Sequence, residues 1–232
     1  MLGLAILAAG AATVSAGYQS MAPTGQWYGQ TFTGLPRGSK QLALTYDDGP
    51  NDPHTLRLLE VLDRHQVKAT FFMIGRHAEQ CPEVARAVAA AGHEIGNHTY
   101  SHPNLIFCSV SETKKEIEQC GRALTEVVGP HSNLFRPPFG GRRPQSLRIA
   151  RALGLKPVMW NITGWDWNAP PAEVIVKKVS QRIHGGNVVL LHDGGHAAMS
   201  ADRSQTVIAT DRLIDRYKAE GYIFVTVSQM LS

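Results

Sequence analysis

The sequence is short of cysteine, of clustered basic charge and of long apolar runs, and each shortage excludes a class of protein. Its three cysteines allow at most one disulfide bond and form no Cys-x-x-Cys pair, so a zinc site built on cysteine is excluded. Cys120 falls within a predicted helix, which favours a buried thiol. The formal net charge is only +4 and no run of Lys and Arg occurs, which argues against a nucleic-acid partner. We find no internal repeat, low-complexity tract or nucleotide-binding motif.

The N-terminus is apolar, and the first charged residue is Arg37. Residues 2–16 are Ala-rich and end in Val-Ser-Ala, a pattern that resembles a signal cleavage site. The stretch is shorter than the roughly 20 residues of a membrane-spanning helix, and no basic side chain precedes it. We expect residues 1–16 to direct the protein to an extracytoplasmic location, with membrane association through an uncleaved anchor as the second alternative and a cytosolic apolar arm as the third. Residues 17–40, rich in Gly, Ser, Thr and Pro, predict an irregular arm.

From residue 41 onward, short apolar runs alternate with amphipathic stretches. Such alternation requires parallel strands joined by crossover helices, and 232 residues suffice for one substantial core. The sequence therefore predicts one catalytic α/β domain over residues 41–232, a (β/α) barrel with about seven parallel strands. The predicted strands cover residues 41–48, 69–74, 93–97, 133–136, 157–162, 188–192 and 223–227. The predicted helices cover residues 53–65, 82–91, 111–128, 145–153, 172–183 and 205–219.

Two pairs of polar residues stand where predicted strands end. Asp47 and Asp48 close the first strand before Gly-Pro, and His98 and His102 follow the third. Residues four apart on a helical turn share a face, so we expect both imidazoles to point the same way. Either motif alone is commonly a solvated turn or a surface accident. Together, at the C-terminal rim of a barrel, they supply two imidazoles and one carboxylate for a metal, with positions open for water and substrate and a second carboxylate to spare.

Three more polar groups follow later strands. Arg136 ends the fourth strand, where a buried guanidinium would hold a neighbouring aspartate ionised. His192 emerges from the last fully apolar strand, and histidine is the natural proton donor near neutral pH. Asp166 is a candidate partner that would orient His192 and raise its pKa. The sequence thus predicts a base and an acid at the same rim.

Aromatic residues surround Asp166. Trp165 and Trp167 lie on the loop, where aromatic faces commonly stack on sugar rings, whereas Trp160 lies within a predicted strand and is interpreted as core packing. The other histidines are interpreted as surface or structural, and this interpretation has least support for His93 and His196. They are His54, His65, His77, His93, His131, His184 and His196.

Five segments in order resemble the motifs of the NodB-like polysaccharide deacetylases, carbohydrate esterase family four. They are TYDDGP (45–50), NHTYSH (97–102), FRPPFG (135–140), WDW (165–167) and VLLHDGG (189–195). The resemblance runs from about residue 41 to residue 227, nearly the whole domain. It implies a deformed (β/α) barrel of seven or eight strands and one divalent metal, often zinc, although nitrogen and oxygen ligands also accept Co²⁺ or Ni²⁺.

The resemblance also implies a role for each matching residue. Asp47 would be the general base, steadied by Arg136. His192 would be the general acid, tuned by Asp166. The metal ligands would be Asp48, His98 and His102, and the groups around the acetyl moiety would be the backbone N–H of Phe139, which faces the oxyanion, and the pocket walls Trp167 and Leu190.

This chain departs from the family pattern at three positions. Tyr46 stands where Phe is usual, which is a mild change on the strand. Phe139 stands where Tyr is commoner, so its N–H is kept but a phenol contact to substrate is lost. Thr163 replaces an aspartate of the fourth motif, so we expect a different arrangement of the loop that supports Asp166. None of the three removes a group that the chemistry needs.

The expected reaction is hydrolysis of N-acetyl groups from glycans that contain N-acetylglucosamine, such as chitin oligosaccharides or peptidoglycan, with release of acetate. An acetylated glycan is the expected partner, and the protein is expected to be a monomer. Three alternatives remain open: removal of O-acetyl groups from xylan, hydrolysis of a small cyclic amide, and a sugar-binding module without turnover. The presence of both aspartates and all three motif histidines argues against the last.

Overall fold

The structure, a computed structural model, describes residues 15–232, so almost all of the predicted signal or anchor segment lies outside the described residues. Its strands are β1 (Gln41–Asp47), β2 (Thr70–Met73), β3 (Glu94–Asn97), β4 (Leu134–Phe135), β5 (Lys156–Pro157), β6 (Ile162–Thr163), β7 (Asn187–His192) and β8 (Ile223–Phe224). Seven of them follow one another in the order β5-β4-β3-β2-β1-β7-β6, and β8 pairs with the start of β1. All these pairings are parallel, which confirms the predicted barrel of about seven strands.

The alternation of side chains along β1 separates two hydrophobic cores. Leu42 and Leu44 belong to the larger core, which lies between the sheet and the surrounding helices. Ala43 belongs to a smaller core with Phe72 and residues of other strands. Thr45 and Asp47 continue the series of Ala43, so the inner face of β1 ends in a buried carboxylate.

Eight named helices surround the sheet in the described range: α1 (His54–Arg64), α2 (Gly75–Gln80), α3 (Pro82–Ala90), α4 (Val110–Val128), α5 (Pro144–Ala152), α6 (Ala172–Ser180), α7 (Ser204–Ala219) and α8 (Val227–Leu231). Six were predicted, with ends that agree to within three residues. The short α2 and α8 were not, because one or two turns give no clear helical period. The predicted strand 223–227 is correspondingly too long, since Thr226 caps α8 through Gln229.

The predicted strand 157–162 is wrong, because these residues form two strands at opposite edges of the sheet. β5 pairs with β4, whereas β6 pairs with β7. The chain crosses between the edges at residues 158–161, and the arm fills the gap. Phe32 N donates to Pro157 O at 3.0 Å, and Met159 N donates to Phe32 O at 2.7 Å. An apolar run indicates burial, but it does not tell which edge of the sheet each part of the run joins.

The arm is not irregular throughout, because residues 15–21 are helical. The Tyr28 hydroxyl donates to Ala16 O at 2.8 Å, which folds the following segment back onto this helix. Leu35 N donates to Gly186 O at 2.8 Å, so the arm is bound to the barrel along its length. Within residues 15–232, no helix has both the length and the apolar character needed to cross a membrane.

Candidate active site

The two aspartates after β1 differ in conformation and surroundings. Asp47 is the last residue of the strand and is 3% exposed on its inner face. Asp48 has a positive φ of 73°, which turns the chain out of the strand. His77, on the helix α2, donates through Nδ1 to the carbonyl oxygen of Asp48 at 3.1 Å. The backbone of Asp48 is therefore fixed by a helix that sequence reasoning missed.

His98 and His102 reach Asp48 from a loop, so the predicted helical turn is wrong. Thr99 and His102 have φ values of 65° and 63°, which an α-helix excludes. Thr99 N donates to Asn97 Oδ1 at 3.0 Å, and His102 N donates to Thr99 Oγ1 at 3.2 Å. Such side-chain bonds to the backbone compete with helix formation. Both Nε2 atoms still face Asp48 Oδ1, at 3.4 Å from His98 and 3.0 Å from His102.

The cluster of Asp48, His98 and His102 has the donor chemistry of a divalent metal site. All three residues are buried, and one ligand atom from each lies within 4.8 Å of the others. Asp48 Oδ1 is buried without a hydrogen-bond partner. His98 Nδ1 donates to the Arg136 carbonyl at 2.8 Å, which leaves the lone pair of Nε2 for the cluster. A cation at this point would satisfy groups that the described residues leave without partners.

The protonation states agree with this fit. Burial raises the pKa of Asp48, but the imidazoles of His102, His196 and His98 lower it more, so the pKa lies well below its usual range. Burial lowers the pKa of His102 and keeps its ring neutral near pH 7. A carboxylate ligand must be ionised and an imidazole ligand neutral, and the pKa directions of Asp48 and His102 favour these forms.

Asp47 is held by a buried arginine. Arg136 Nη1 donates to Asp47 Oδ1 at 2.7 Å and to Thr45 Oγ1 at 2.8 Å, and Nη2 donates to Met159 O at 3.2 Å. The guanidinium lies 4.1 Å from the centre of the Phe72 ring and is fully buried. Burial lowers the pKa of Arg136 while Asp47 raises it. Because only Oδ1 is engaged by the arginine, Oδ2 of Asp47 is available to a reacting water.

His192 lies beside Asp47 because the two are register partners on β7 and β1. Its Nδ1 donates to Asp166 Oδ1 at 2.8 Å, and its backbone N donates to Asp166 Oδ2 at 2.8 Å. Thr206 Oγ1 donates to the same Oδ2 at 2.8 Å. Burial alone would lower the pKa of His192, but Asp166 raises it to about 9. His192 is therefore a protonated imidazole near neutral pH, and Nε2 is the nitrogen left to give up a proton.

Phe139 occupies a tight turn, Pro138–Gly140, directly after β4 and Arg136. Its φ of 57° is unusual for a residue with a side chain. The first N–H groups of a helical turn have no acceptor within the turn, so the backbone donor of Phe139 is available to a ligand. Its ring lies edge-on to His102, with 4.6 Å between ring centroids. The turn therefore places the backbone N–H of Phe139 beside the ligand cluster of Asp48, His98 and His102.

All ten predicted site residues meet at this rim. Eight of them line one cavity of about 610 Å³, and Arg136 and Asp166 lie buried behind it. Trp167 and Leu190 are among the eight, whereas Trp165 is outside the cavity and packs on Trp167 with 5.0 Å between ring centroids. Trp160, interpreted from the sequence as core, lines the cavity as well.

Comparison with protein-family models decides the family. The model described as polysaccharide deacetylase matches residues 34–158, more than half of the chain. The chain belongs to the polysaccharide deacetylase family. The matched range contains the ligand cluster of Asp48, His98 and His102, together with Asp47 and the Phe139 turn. It ends before His192.

Curated relatives of this polysaccharide deacetylase extend the match. A peptidoglycan-N-acetylglucosamine deacetylase of Bacillus cereus is 38% identical over 203 residues, which cover 85% of this chain and 91% of the relative. A chitooligosaccharide deacetylase of Azorhizobium caulinodans is 33% identical over 195 residues, which cover 81% and 93%. Both alignments span most of the chain and most of the relative, so the likeness concerns the whole catalytic domain.

Solved structures of the family share the fold. A crystal structure of a peptidoglycan N-acetylglucosamine deacetylase has a TM-score of 0.80 at 35% identity and covers 86% of this chain and 91% of that one. A family pseudoenzyme from Bacillus anthracis has a TM-score of 0.81 at 28% identity and covers 88% and 69%. Both an enzyme and a pseudoenzyme have this fold, so the fold does not distinguish the two. Only the residues of the site can do so.

Sequence reasoning missed several residues of this deacetylase's cavity. His196 was interpreted as surface or structural, yet its ring stacks on His102 at 4.8 Å between centroids and its Nδ1 lies 3.8 Å from Asp48 Oδ2. Arg203 is buried and donates to Gly194 O at 2.7 Å and to Trp167 O at 3.2 Å. The only signal for His196 was its position four residues after His192, on the same loop.

Two of the three departures from the family pattern, Tyr46 and Thr163, are accommodated by hydrogen bonds. The Tyr46 hydroxyl lies 3.0 Å from Thr210 Oγ1, so the extra oxygen is paired inside the core. Thr163 Oγ1 accepts from Trp165 N at 3.3 Å and shapes the loop that Asp166 follows. Asp166 nevertheless receives three hydrogen bonds from His192 and Thr206. Cys120 is a buried free thiol, as predicted, and the other two cysteines are also free.

Proposed function

We propose that this polysaccharide deacetylase hydrolyses N-acetyl groups of glycans that contain N-acetylglucosamine and releases acetate. One observation supports this proposal above all: a fixed carboxylate and a protonated imidazole, Asp47 and His192, lie side by side at the rim of one cavity with the metal cluster. Amide hydrolysis needs a base for water and an acid for the departing amine, because an amine leaves only when protonated.

The residues divide the reaction between them. A divalent cation bound by Asp48, His98 and His102 would polarise the amide carbonyl and lower the pKa of water. Asp47, steadied by Arg136, accepts the proton of the attacking water at Oδ2. The Phe139 N–H donates to the oxyanion that develops on the carbonyl oxygen. His192 then donates its proton from Nε2 to the amine, and Asp166 stabilises the imidazolium until that moment.

We propose zinc as the native cation, with Co²⁺ or Ni²⁺ as alternatives for the same donor set. The support is the chemistry of the ligands, two imidazoles and one carboxylate. Metal analysis of protein purified without added metal tests the identity, and reconstitution of chelator-treated protein with each ion tests which one restores activity. A preparation that contains only iron or magnesium would contradict the proposal.

An acetate-release assay tests the substrate. Chitin oligosaccharides and peptidoglycan should both yield acetate, and the Asp47→Asn variant should yield none under the same conditions. Turnover of acetylxylan or of a small cyclic amide without release from either glycan would replace the proposal with one of those activities. Binding of chitin oligosaccharides without release from any substrate would identify a sugar-binding module.

We propose further that the protein acts outside the cytoplasm, from the apolar character of residues 2–16 in the sequence. Fractionation of cells tests this location, and a wholly cytosolic protein with Met1 intact would contradict it. The expectation of a monomer stays a prediction, which light scattering of the purified protein would check.

A further inference from the structure

A buried arginine, Arg142, binds the arm (residues 17–40) to the turn Pro138–Gly140 that contains Phe139. Its Nη2 donates to Ala22 O at 2.6 Å and to Gly25 O at 2.7 Å, and its Nη1 donates to Gly140 O at 3.0 Å. Its own backbone N donates to Ser20 O at 3.0 Å. Gly140 is the residue after Phe139 in the turn, so the side chain of Arg142 joins Ala22 and Gly25 of the arm to the turn that carries the oxyanion donor.

The surroundings of Arg142 are unusual for an arginine. The residue is 1% exposed, and the three acceptors of its guanidinium are all neutral carbonyl groups. Burial lowers its pKa. A buried cation with only neutral partners is a costly way to add stability. The contact has a second consequence, at the cavity.

That consequence is the position of Met21. It lies between Ser20 and Ala22, whose carbonyl groups both accept from Arg142, and it is the one arm residue that lines the active-site cavity. Its side chain is apolar and 44% exposed. The arm therefore presents a thioether to the cavity at a position set by Arg142, on the same side as the Phe139 turn.

The part of the cavity lining that the arm supplies, which we call the substrate wall, has the chemistry to bind an uncharged ligand. Residues 15–36 contain no charged side chain. The cavity that Met21 lines has other apolar groups in its lining, among them Phe139, Ala197 and Ala198. Sugar rings have apolar faces that pack on such groups, and a flexible thioether adapts to their shape. A neutral N-acetylated glycan fits this wall, and a polyanion gains nothing from it.

We propose that the arm forms a substrate wall of this deacetylase, in which Met21 contacts the sugar and Arg142 is the positioning residue that holds Met21 and the Phe139 turn in place. The proposal rests on the proposed function for the identity of the ligand. Neither residue belongs to the five sequence motifs, and Met21 precedes residues 34–158, the stretch that the family model matches.

Binding of a chitin tetrasaccharide tests the wall without requiring turnover. In an Asp47→Asn background, Met21→Ala should raise the dissociation constant about tenfold in calorimetry, the scale expected when a binding pocket loses apolar contact. Trp27→Ala is the matched control, because Trp27 is an arm residue that is 67% exposed and does not line the cavity. An unchanged constant in Met21→Ala, an equal loss in Trp27→Ala, or no binding at all would each overturn the proposal.

Kinetics with Asp47 intact test the positioning role. Arg142→Met should raise KM for the tetrasaccharide and also lower kcat, because the wall and the Phe139 turn both lose their anchor. Arg151→Met is the control, since Arg151 also donates to a carbonyl of the arm, that of Gln30, which does not line the cavity. A variant that is merely less stable would have a lower Tm with kcat and KM unchanged, and that result would overturn the role of Arg142.

The two proposals fail in different ways. If the tetrasaccharide binds and binding depends on Met21, but no glycan yields acetate, the proposed function fails and the substrate wall stands as a sugar-binding surface. If glycans yield acetate and the Met21→Ala variant binds and turns over like the unmodified protein, the wall fails and the function stands.

Discussion

Two clusters of histidine and aspartate in the described residues have the composition of a metal site, and they differ in burial. Asp48, His98 and His102 are buried at the rim of the barrel. The second cluster, His65, Asp211 and Asp215, joins α1 to α7 at the surface, where the two aspartate side chains are 38% and 73% exposed. Residue type and proximity are thus common to both clusters.

The partners of each cluster explain why we assign a metal to only one. In the surface cluster Asp211 Oδ1 already accepts from Arg64 at 2.7 Å and lies 2.6 Å from His65 Nε2, and water reaches the rest. In the buried cluster Asp48 Oδ1 has no hydrogen-bond partner, and the described residues place no lysine or arginine within ion-pairing distance of that carboxylate. The buried cluster therefore leaves a carboxylate oxygen for a cation, whereas Asp211 of the surface cluster is already paired with a cationic side chain.

The largest expected effect comes from removing the buried imidazoles. The double variant His98→Ala, His102→Ala should lose its bound divalent metal and all measurable deacetylase activity, because one carboxylate is too few ligands for the site. Metal content by elemental analysis and acetate release are the measurements. His65→Ala, in the surface cluster, is the matched control and should keep both. Unchanged metal content in the double variant would show that the buried cluster is not the metal site.

The next effect separates the two aspartates. Asp47→Asn should abolish turnover while metal stays bound, because the amide cannot accept the proton of water and Asp47 is not proposed as a ligand. The same two measurements apply. Full loss of metal from this variant would mean that the two aspartates share or exchange their roles.

Removal of the proton donor, His192, should lower activity less than the Asp47→Asn substitution does. His192→Ala should lower kcat about 10²–10⁴-fold, the usual range for one general acid. The metal should remain, which again distinguishes the acid from the buried cluster. A variant that retains full kcat would transfer the role of acid to another group.

The pH profile sharpens this prediction. Asp166 raises the pKa of His192 to about 9, so the protonated acid is lost as pH rises through that value. Asp166→Asn removes the cause of the increase and should move the alkaline limb of kcat to lower pH. The stability that the raised pKa contributes is complete below pH 6.5 and is lost as pH rises towards 9. Unfolding of metal-free protein at several pH values should therefore show a weaker pH dependence in Asp166→Asn.

The smallest effect belongs to the surface cluster. His65→Ala removes a contact to Asp211, whose side chain is 38% exposed, so the free energy of unfolding should fall by only about 0.5 kcal/mol. Thermal unfolding measures this change, and activity should not alter. A loss of several kcal/mol would show that the surface cluster is important for stability and would weaken the contrast between the clusters.

The parallel sheet and most of the site residues could be predicted because they depend on local patterns, whereas Phe139 and Leu190 were assigned through the resemblance to the family. Alternating apolar strands and amphipathic helices require a parallel sheet, and the polar residues Asp47, Arg136 and His192 each stand where such a strand ends. The predictions failed where a local pattern has two solutions. The spacing of His98 and His102 also fits a helical turn, but the hydrogen bonds that the side chains of Asn97 and Thr99 accept from the backbone favour a loop.

The sequence by itself determined the chemistry of this protein: which carboxylates and imidazoles are present, and that each follows a strand. Only the tertiary structure decided which atoms remain unsatisfied and which distant segments complete the site. Arg136 and Asp47 are 89 residues apart, and Arg142 and Ala22 are 120 residues apart. No local periodicity reports such contacts, because the pairing of distant strands brings Arg136 to Asp47, and the packing of the arm on the sheet brings Ala22 to Arg142.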